Sequence, residues 1–197
     1  MPSPSAILHS CYYHIYNRGN NRQNIFIEER NYRYFLQKYA QLVTPYADTF
    51  AYCLLRNHFH LLVRVKNLDE IDPAWQDKKP GQVFGNFFNA YAKAFNRMYN
   101  RTGSLFENPF RRIVVTSEAH FTQLIVYIHQ NPQKHGFVDD FRNWPYSSYH
   151  ALLGAGPTRL QRQVVIDWFG GARPLEDAHG VVMREAQVAA LVPEDFD

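Results

Sequence analysis

The tightest constraint on the fold lies in residues 51–65, AYCLLRNHFHLLVRV. From His58 onward, Phe59, Leu61, Val63 and Val65 fall on one parity and are uniformly apolar, while His58, His60, Leu62 and Arg64 fall on the other. Residues i and i+2 of a strand share a face, so the pattern predicts a β-strand whose apolar row meets the core and whose two imidazoles point the same way. Residues 49–55 (TFAYCLL) read as another strand, with Arg56-Asn57 as the reversal between the two. A histidine pair at the start of a strand, beside a tight turn, is expected at the edge of the fold. Two neutral imidazoles side by side make half of a divalent-metal site. The same pair also occurs on ordinary solvated strand faces, and the motif alone does not choose.

The rest of the chain supplies context. Residues 11–17 (CYYHIYN) read as a first strand ending at Arg18-Gly19-Asn20-Asn21, a turn with more amides and arginines than a hairpin needs. In residues 28–44, Tyr32, Phe35, Leu36, Tyr39, Leu42 and Val43 form a helical stripe, with Pro45 following it. Residues 66–80 are polar and read as a long exposed loop. Residues 82–100 predict a second helix despite Gly85, with Asn89, Lys93, Asn96 and Arg97 on a polar side that reads as solvated. A short strand, residues 111–116, opens with Arg111 and Arg112. A third helix is expected from an N-cap at Ser117 to a stop at Pro132, placing Tyr127 and Asn131 one above the other. The first six elements form a βαββαβ unit, so the expected class is α+β: a ferredoxin-like antiparallel sheet with helices on one face, plus an additional helix that bears Tyr127.

With 197 residues, 46% of them hydrophobic, the chain can bury a full core, and one domain with a short appendage is the default. A net charge of +3 is too small to announce a nucleic-acid binder by itself. The 13 Tyr and 15 Phe say more: many sit beside Arg, Lys and Asn, which suits stacking on unpaired bases, although core filling explains most of them. Two cysteines, Cys11 and Cys53, imply no disulfide framework and fit a reduced, cytosolic setting. The small apolar character of Cys53 suits a core position. Neither a secretory leader nor a membrane span is evident, so a soluble intracellular protein is expected.

NHFHLLV around His58 and His60, together with YIHQNP at residues 127–132, resembles the single-tyrosine HUH transposases. The REP-associated tyrosine transposases, the bacterial branch linked to repetitive extragenic palindromes, are the nearer likeness. YHIYNRGNNRQNIF at residues 13–26 and WPYSSYH at residues 144–150 add two further blocks, and the likeness runs over residues 12–153. The histidine triplet alone is weakly specific; four blocks in order are highly specific. The resemblance implies a transposase domain over residues 1–153 and an extension over residues 154–197 packed on it. It further implies Tyr127 as the nucleophile and His58, His60 and Asn131 as ligands of Mg²⁺ or Mn²⁺. The implied substrate is single-stranded DNA adjoining a hairpin, cut through a 5′-phosphotyrosine link, by a monomer or homodimer working in the bacterial cytoplasm at the nucleoid. Asn17, Arg18, Arg22, Arg111 and Arg112 are candidate DNA contacts from their clustering at strand ends and turns. Where relatives often carry Pro before the histidines, this chain has Arg56 followed by Asn57, which alters the turn and not the ligands.

Two other readings stand beside this one. HFHLL approaches the His-x-His-x-His of histidine-triad nucleotide hydrolases, but Leu62 occupies the third histidine's place. A domain that binds DNA hairpins without cutting them fits the same blocks. In the extension, residues 164–170 (VVIDWFG) are amphipathic and residues 181–191 read as a helix before an acidic end. Whether this tail covers a sheet edge or the DNA-binding face is left open.

Overall fold

The computed structural model describes residues 6–183 and 185–192; the loose end expected at residues 1–5 and the acidic end after residue 192 lie outside the described residues. The elements run β1 (Tyr12–Arg18), α1 (Glu29–Leu42), β2 (Ala47–Leu54), β3 (His58–Val65), α2 (Pro73–Gln76), α3 (Pro80–Met98), β4 (Arg111–Val115) and α4 (Glu118–Lys134). Four short helices follow: α5 (Tyr149–Leu153), α6 (Arg162–Phe169), α7 (Ala172–His179) and α8 (Glu185–Leu191). The strands form one sheet in the order β2-β3-β1-β4, and every pairing is antiparallel. Helical crossovers join β1 to β2 and β3 to β4, which gives the ferredoxin-like topology expected from the element order.

Helices α1 and α3 cover one face through an aromatic core. Phe35 lies 4.8 Å from Phe87 and 5.1 Å from Tyr91 by ring centroids, and Phe59 of β3 reaches both Phe35 and Phe88. Pro80 sits in the first turn of α3, where its missing N–H would have no helical partner in any case. The opposite face is not solvated. Helix α4 lies over it, and Trp168 of α6 packs on Phe121 and on Phe50 of β2, which a register shift between Thr49 and Ala51 accommodates. The histidine pair is therefore not at the edge of the fold. Strand β3 is hydrogen-bonded on both sides, and His58 and His60 are 3% and 0% exposed. The alternation correctly separated two faces, but both turned out to be interior, because the additional helix supplies a second layer.

Two local features set the site. Gly19 ends β1 where a Cβ would stand 1.9 Å from the Gln23 carbonyl oxygen, so the turn after Arg18 closes only around glycine. Helix α4 begins as expected, with the Ser117 hydroxyl accepting from the His120 N–H, but it does not stop at Pro132. It runs one further half-turn and ends in a Schellman motif: Gly136 has φ 68°, its N–H donates to Gln133 O, and the Phe137 N–H donates to Pro132 O. A proline near a helix end costs only the bond to residue i−4, and a left-handed glycine is the stronger stop.

The segment at residues 146–148 and the start of the tail together cover a sheet edge. Along the free side of β2, Ser148 N–H donates to Tyr52 O, Leu54 N–H to Tyr146 O, and Gln161 N–H to Thr49 O, each at 2.9 Å. This sequesters an edge that would otherwise template pairing with another chain. The WPYSSYH block has its physical reason here: Trp144 donates from its ring to Leu54 O and Tyr146 stacks flat on Tyr32. No helix among the described residues is long and apolar enough to cross a membrane.

Candidate functional site

The antiparallel register assembles one corner of the sheet. Arg18 lies opposite His58, Tyr16 lies between His60 and Arg111, and His14 lies between Leu62 and Ile113. Alternation puts all of these side chains on the face beneath α4. Tyr127 comes down on them from the helix: its ring meets the His60 ring at 5.5 Å and the His14 ring at 6.3 Å, edge to face. One helical turn later, Asn131 points to the same spot, with Oδ1 3.3 Å from His58 Nε2 and Nδ2 donating to Tyr127 O. His58, His60, Tyr127 and Asn131 are thus brought together, all nearly inaccessible.

The donor set has the character of a cation site. His58 Nδ1 donates to the Asn57 side-chain oxygen at 2.7 Å. A neutral ring protonated at Nδ1 keeps only a lone pair at Nε2, and that lone pair faces another acceptor, Asn131 Oδ1. A proton on Nε2, or a metal ion between the two atoms, makes this contact favourable. His60 repeats the pattern: its Nδ1 bonds to His14 Nε2 at 2.9 Å, and its Nε2 is buried without a hydrogen-bond partner. Burial, and then the neighbouring His14, His58, His135 and Lys134, hold His60 well below the ordinary histidine range, so the ring is neutral, and the tautomer that donates from Nδ1 to His14 carries its lone pair at Nε2. Among the described residues no three His, Cys, Asp or Glu side chains make a metal cage; beside the two imidazoles stands the Asn131 amide oxygen, an uncharged oxygen donor. The residues fit a divalent ion.

His14, Lys134 and His135 escaped the sequence reading. His14 becomes visible only once β1 is registered against β3. His135, the C-cap of α4, meets the His58 ring at 4.9 Å, and Lys134 stands 5.6 Å over the Tyr127 ring; both follow from the extra half-turn beyond Pro132. His129 lies on another side of α4, in a buried chain with His179 Nε2 and the Ser148 hydroxyl, each at 2.7 Å. Cys53 is fully buried in the core.

The five candidate DNA contacts do not form one cluster. Arg18 and Arg111 share the histidine face and both approach Glu107, Arg18 at 2.5 Å and Arg111 at 3.8 Å. Arg112 faces the other side of the sheet, 5.2 Å over the Phe110 ring. Arg22 is exposed in the turn after β1. Asn17 is buried, its amide donating to Glu107 O and accepting from the Arg18 N–H, so it braces the strand end.

No family model matches the chain. A curated protein of Haemophilus influenzae named as a REP-associated tyrosine transposase is 28% identical over 120 residues, spanning 59% of this chain and 67% of that one. The fold matches the solved structure of a REP-associated tyrosine transposase bound to a REP hairpin with a TM-score of 0.57, covering 79% of this chain and 86% of that one at 17% identity. The chain resembles the REP-associated tyrosine transposases in sequence and shares the fold of one of them.

Proposed function

We propose that the protein is a transposase-like enzyme that cleaves and transfers single-stranded DNA beside palindromic hairpins, using Tyr127 as nucleophile and a divalent ion held by His58, His60 and Asn131. The observation that supports this best is the convergence of those four side chains on one buried sheet corner, with His58 Nε2 3.3 Å from the Asn131 amide oxygen and the Tyr127 ring against His60. The relatives' names point to the same substrate class. When bound, Mg²⁺ or Mn²⁺ would supply Lewis-acid polarisation of the scissile phosphate.

The chain's own residues do the rest. The Tyr127 phenolic oxygen forms a bond to phosphorus as the bond to the 3′ oxygen breaks, leaving a 5′-phosphotyrosine and a 3′-hydroxyl that takes up the proton. Because the phosphodiester is exchanged and not hydrolysed, the reverse attack by a 3′-hydroxyl rejoins DNA. A phenol titrates near pH 10, so the site must favour phenolate as it forms, and the Lys134 ammonium over the ring is a suitable group. Arg18 and Arg111 flank the histidines on the same face, where they suit phosphates on either side of the cut. Arg22 and Arg112 extend the cationic border, while Asn17 acts through the strand end it braces.

Labelled single-stranded hairpin oligonucleotides incubated with Mg²⁺ or Mn²⁺ and run on a denaturing gel test this reading. Wild type should give a protein-linked band, absent in Tyr127→Phe and in His58→Ala. Binding without an adduct, across several hairpins and both metals, would instead establish a hairpin-binding module.

A further inference from the structure

Around the sheet end from the histidine corner, helix α3 and the segment at residues 103–110 enclose a groove of about 480 Å³, within the range of small-molecule sites. We propose that this groove holds an unpaired nucleotide of the DNA strand that enters the tyrosine site, an assignment that rests on the DNA-processing function above. Gly85 lies in its floor. It sits in the interior of α3, where glycine is a poorer helix former than alanine. Nothing in the protein lies within 4 Å of where its Cβ would stand, so packing does not demand a glycine there. The open space leaves room for a ligand to pass close over the helix.

The walls have the chemistry of a nucleotide. Phe88 and Phe110 stand 5.1 Å apart edge to face, and Phe110 is half-buried, leaving ring surface on which a base can stack. Asn89 and Asn108 are exposed and bring amides, which pair with the donor and acceptor edges of bases. Lys93 is exposed, and none of the described residues forms an ion pair with it, as suits a phosphate contact. Gly85, Asn89 and Lys93 are spaced four apart, so the open floor, the amide and the cation form one stripe along α3. The polar side of this helix, which reads as merely solvated in the sequence, therefore faces a concavity.

The groove is also joined to the site. Its far wall is pinned to the end of β1, since Asn17 Nδ2 and Arg18 Nε both donate to Glu107, and Arg18 lies opposite His58. Arg111 and Arg112 are consecutive on the edge strand β4, so one faces the histidine side and the other faces Phe110. Cationic groups thus mark both sides of the path that a strand would follow around the sheet end.

The test is the ratio of two dissociation constants, measured by fluorescence anisotropy on wild type, Gly85→Leu and Lys93→Gln. One probe is a blunt DNA hairpin; the other is the same hairpin with four unpaired nucleotides on each end. Wild type should bind the flanked hairpin at least tenfold more tightly, and Gly85→Leu should collapse that ratio toward one. Thermal melts should show the leucine variant folded, because the space above residue 85 is open and leucine favours a helix. Lys93→Gln should lower the salt slope for the flanked probe by about 0.7–1. A wild-type ratio near one overturns the groove assignment alone. An unchanged ratio in a folded Gly85→Leu does the same. Failure of wild type to bind either probe overturns both this inference and the DNA-processing function.

Discussion

His14 shows how much of a site can rest on a residue that touches no substrate. Its Nε2 bonds to His60 Nδ1 inside the protein, which fixes the ring angle of His60 and, with His60 Nδ1 as the donor, leaves the Nε2 lone pair for a ligand. The ring stacks on Tyr16 at 4.6 Å, so it cannot swing aside. We expect His14→Leu to weaken Mn²⁺ binding by about 10–100-fold in titration calorimetry, with His14→Gln, which keeps an acceptor, recovering part of the loss. Equal metal affinity in wild type and a folded His14→Leu would remove His14 from this positioning role. The same logic makes Tyr127→Phe the sharper test of chemistry, because it deletes one oxygen and leaves the ring packing on His60 and His14 in place.

Between elements, the tail is held by histidines of a different kind. His179 of α7 donates from Nδ1 to Leu175 O, bonds through Nε2 to His129 of α4, and His129 reaches on to Ser148. Burial lowers His179 to about 4, and burial with His179 and His150 nearby holds His129 well below the ordinary range. A histidine whose folded value is depressed contributes stability that is complete above its unfolded value near 6.5 and is lost as pH falls toward the folded value. Between pH 6.5 and about 4 the unfolded chain binds more protons, so acid destabilises this docking by about 3 kcal/mol in full. We expect melting temperature to fall across that window and the fall to be shallower in His179→Gln. An equally steep fall in that variant would place the acid sensitivity elsewhere.

At the scale of the whole molecule, the site is complete within one chain: α4 crosses directly over its own β3, and Tyr127 meets His58 and His60 of the same protomer. A single chain therefore carries all four residues of the proposed site. Mixing His58→Ala with Tyr127→Phe should restore no protein–DNA adduct, because each chain lacks one half of its own site. Recovery of adduct in the mixture would show that two chains exchange the tyrosine helix. The covered β2 edge supports the single-chain arrangement, since Tyr146, Ser148 and Gln161 occupy backbone groups on which a second sheet could otherwise build.

The amino-acid sequence by itself missed the short α2, which lies in the stretch read as a loop, but it determined the order of the strands and of the long helices, the ferredoxin-like class, and the parity that puts His58 and His60 on one side of a strand. It did so because period-two and period-3.6 patterns are local, and because four ordered blocks carry a family likeness. Tertiary structure alone decided that the histidine side is interior, that His14 backs His60, and that residues 146–148 with the start of the tail seal β2. It also decided that α4 passes Pro132 and brings Lys134 and His135 to the site, and that the polar stripe of α3 borders a groove. Each of these depends on cross-strand register, on a second layer over the sheet or on a helix terminus, and so on contacts between residues far apart in the chain, which local periodicity does not encode.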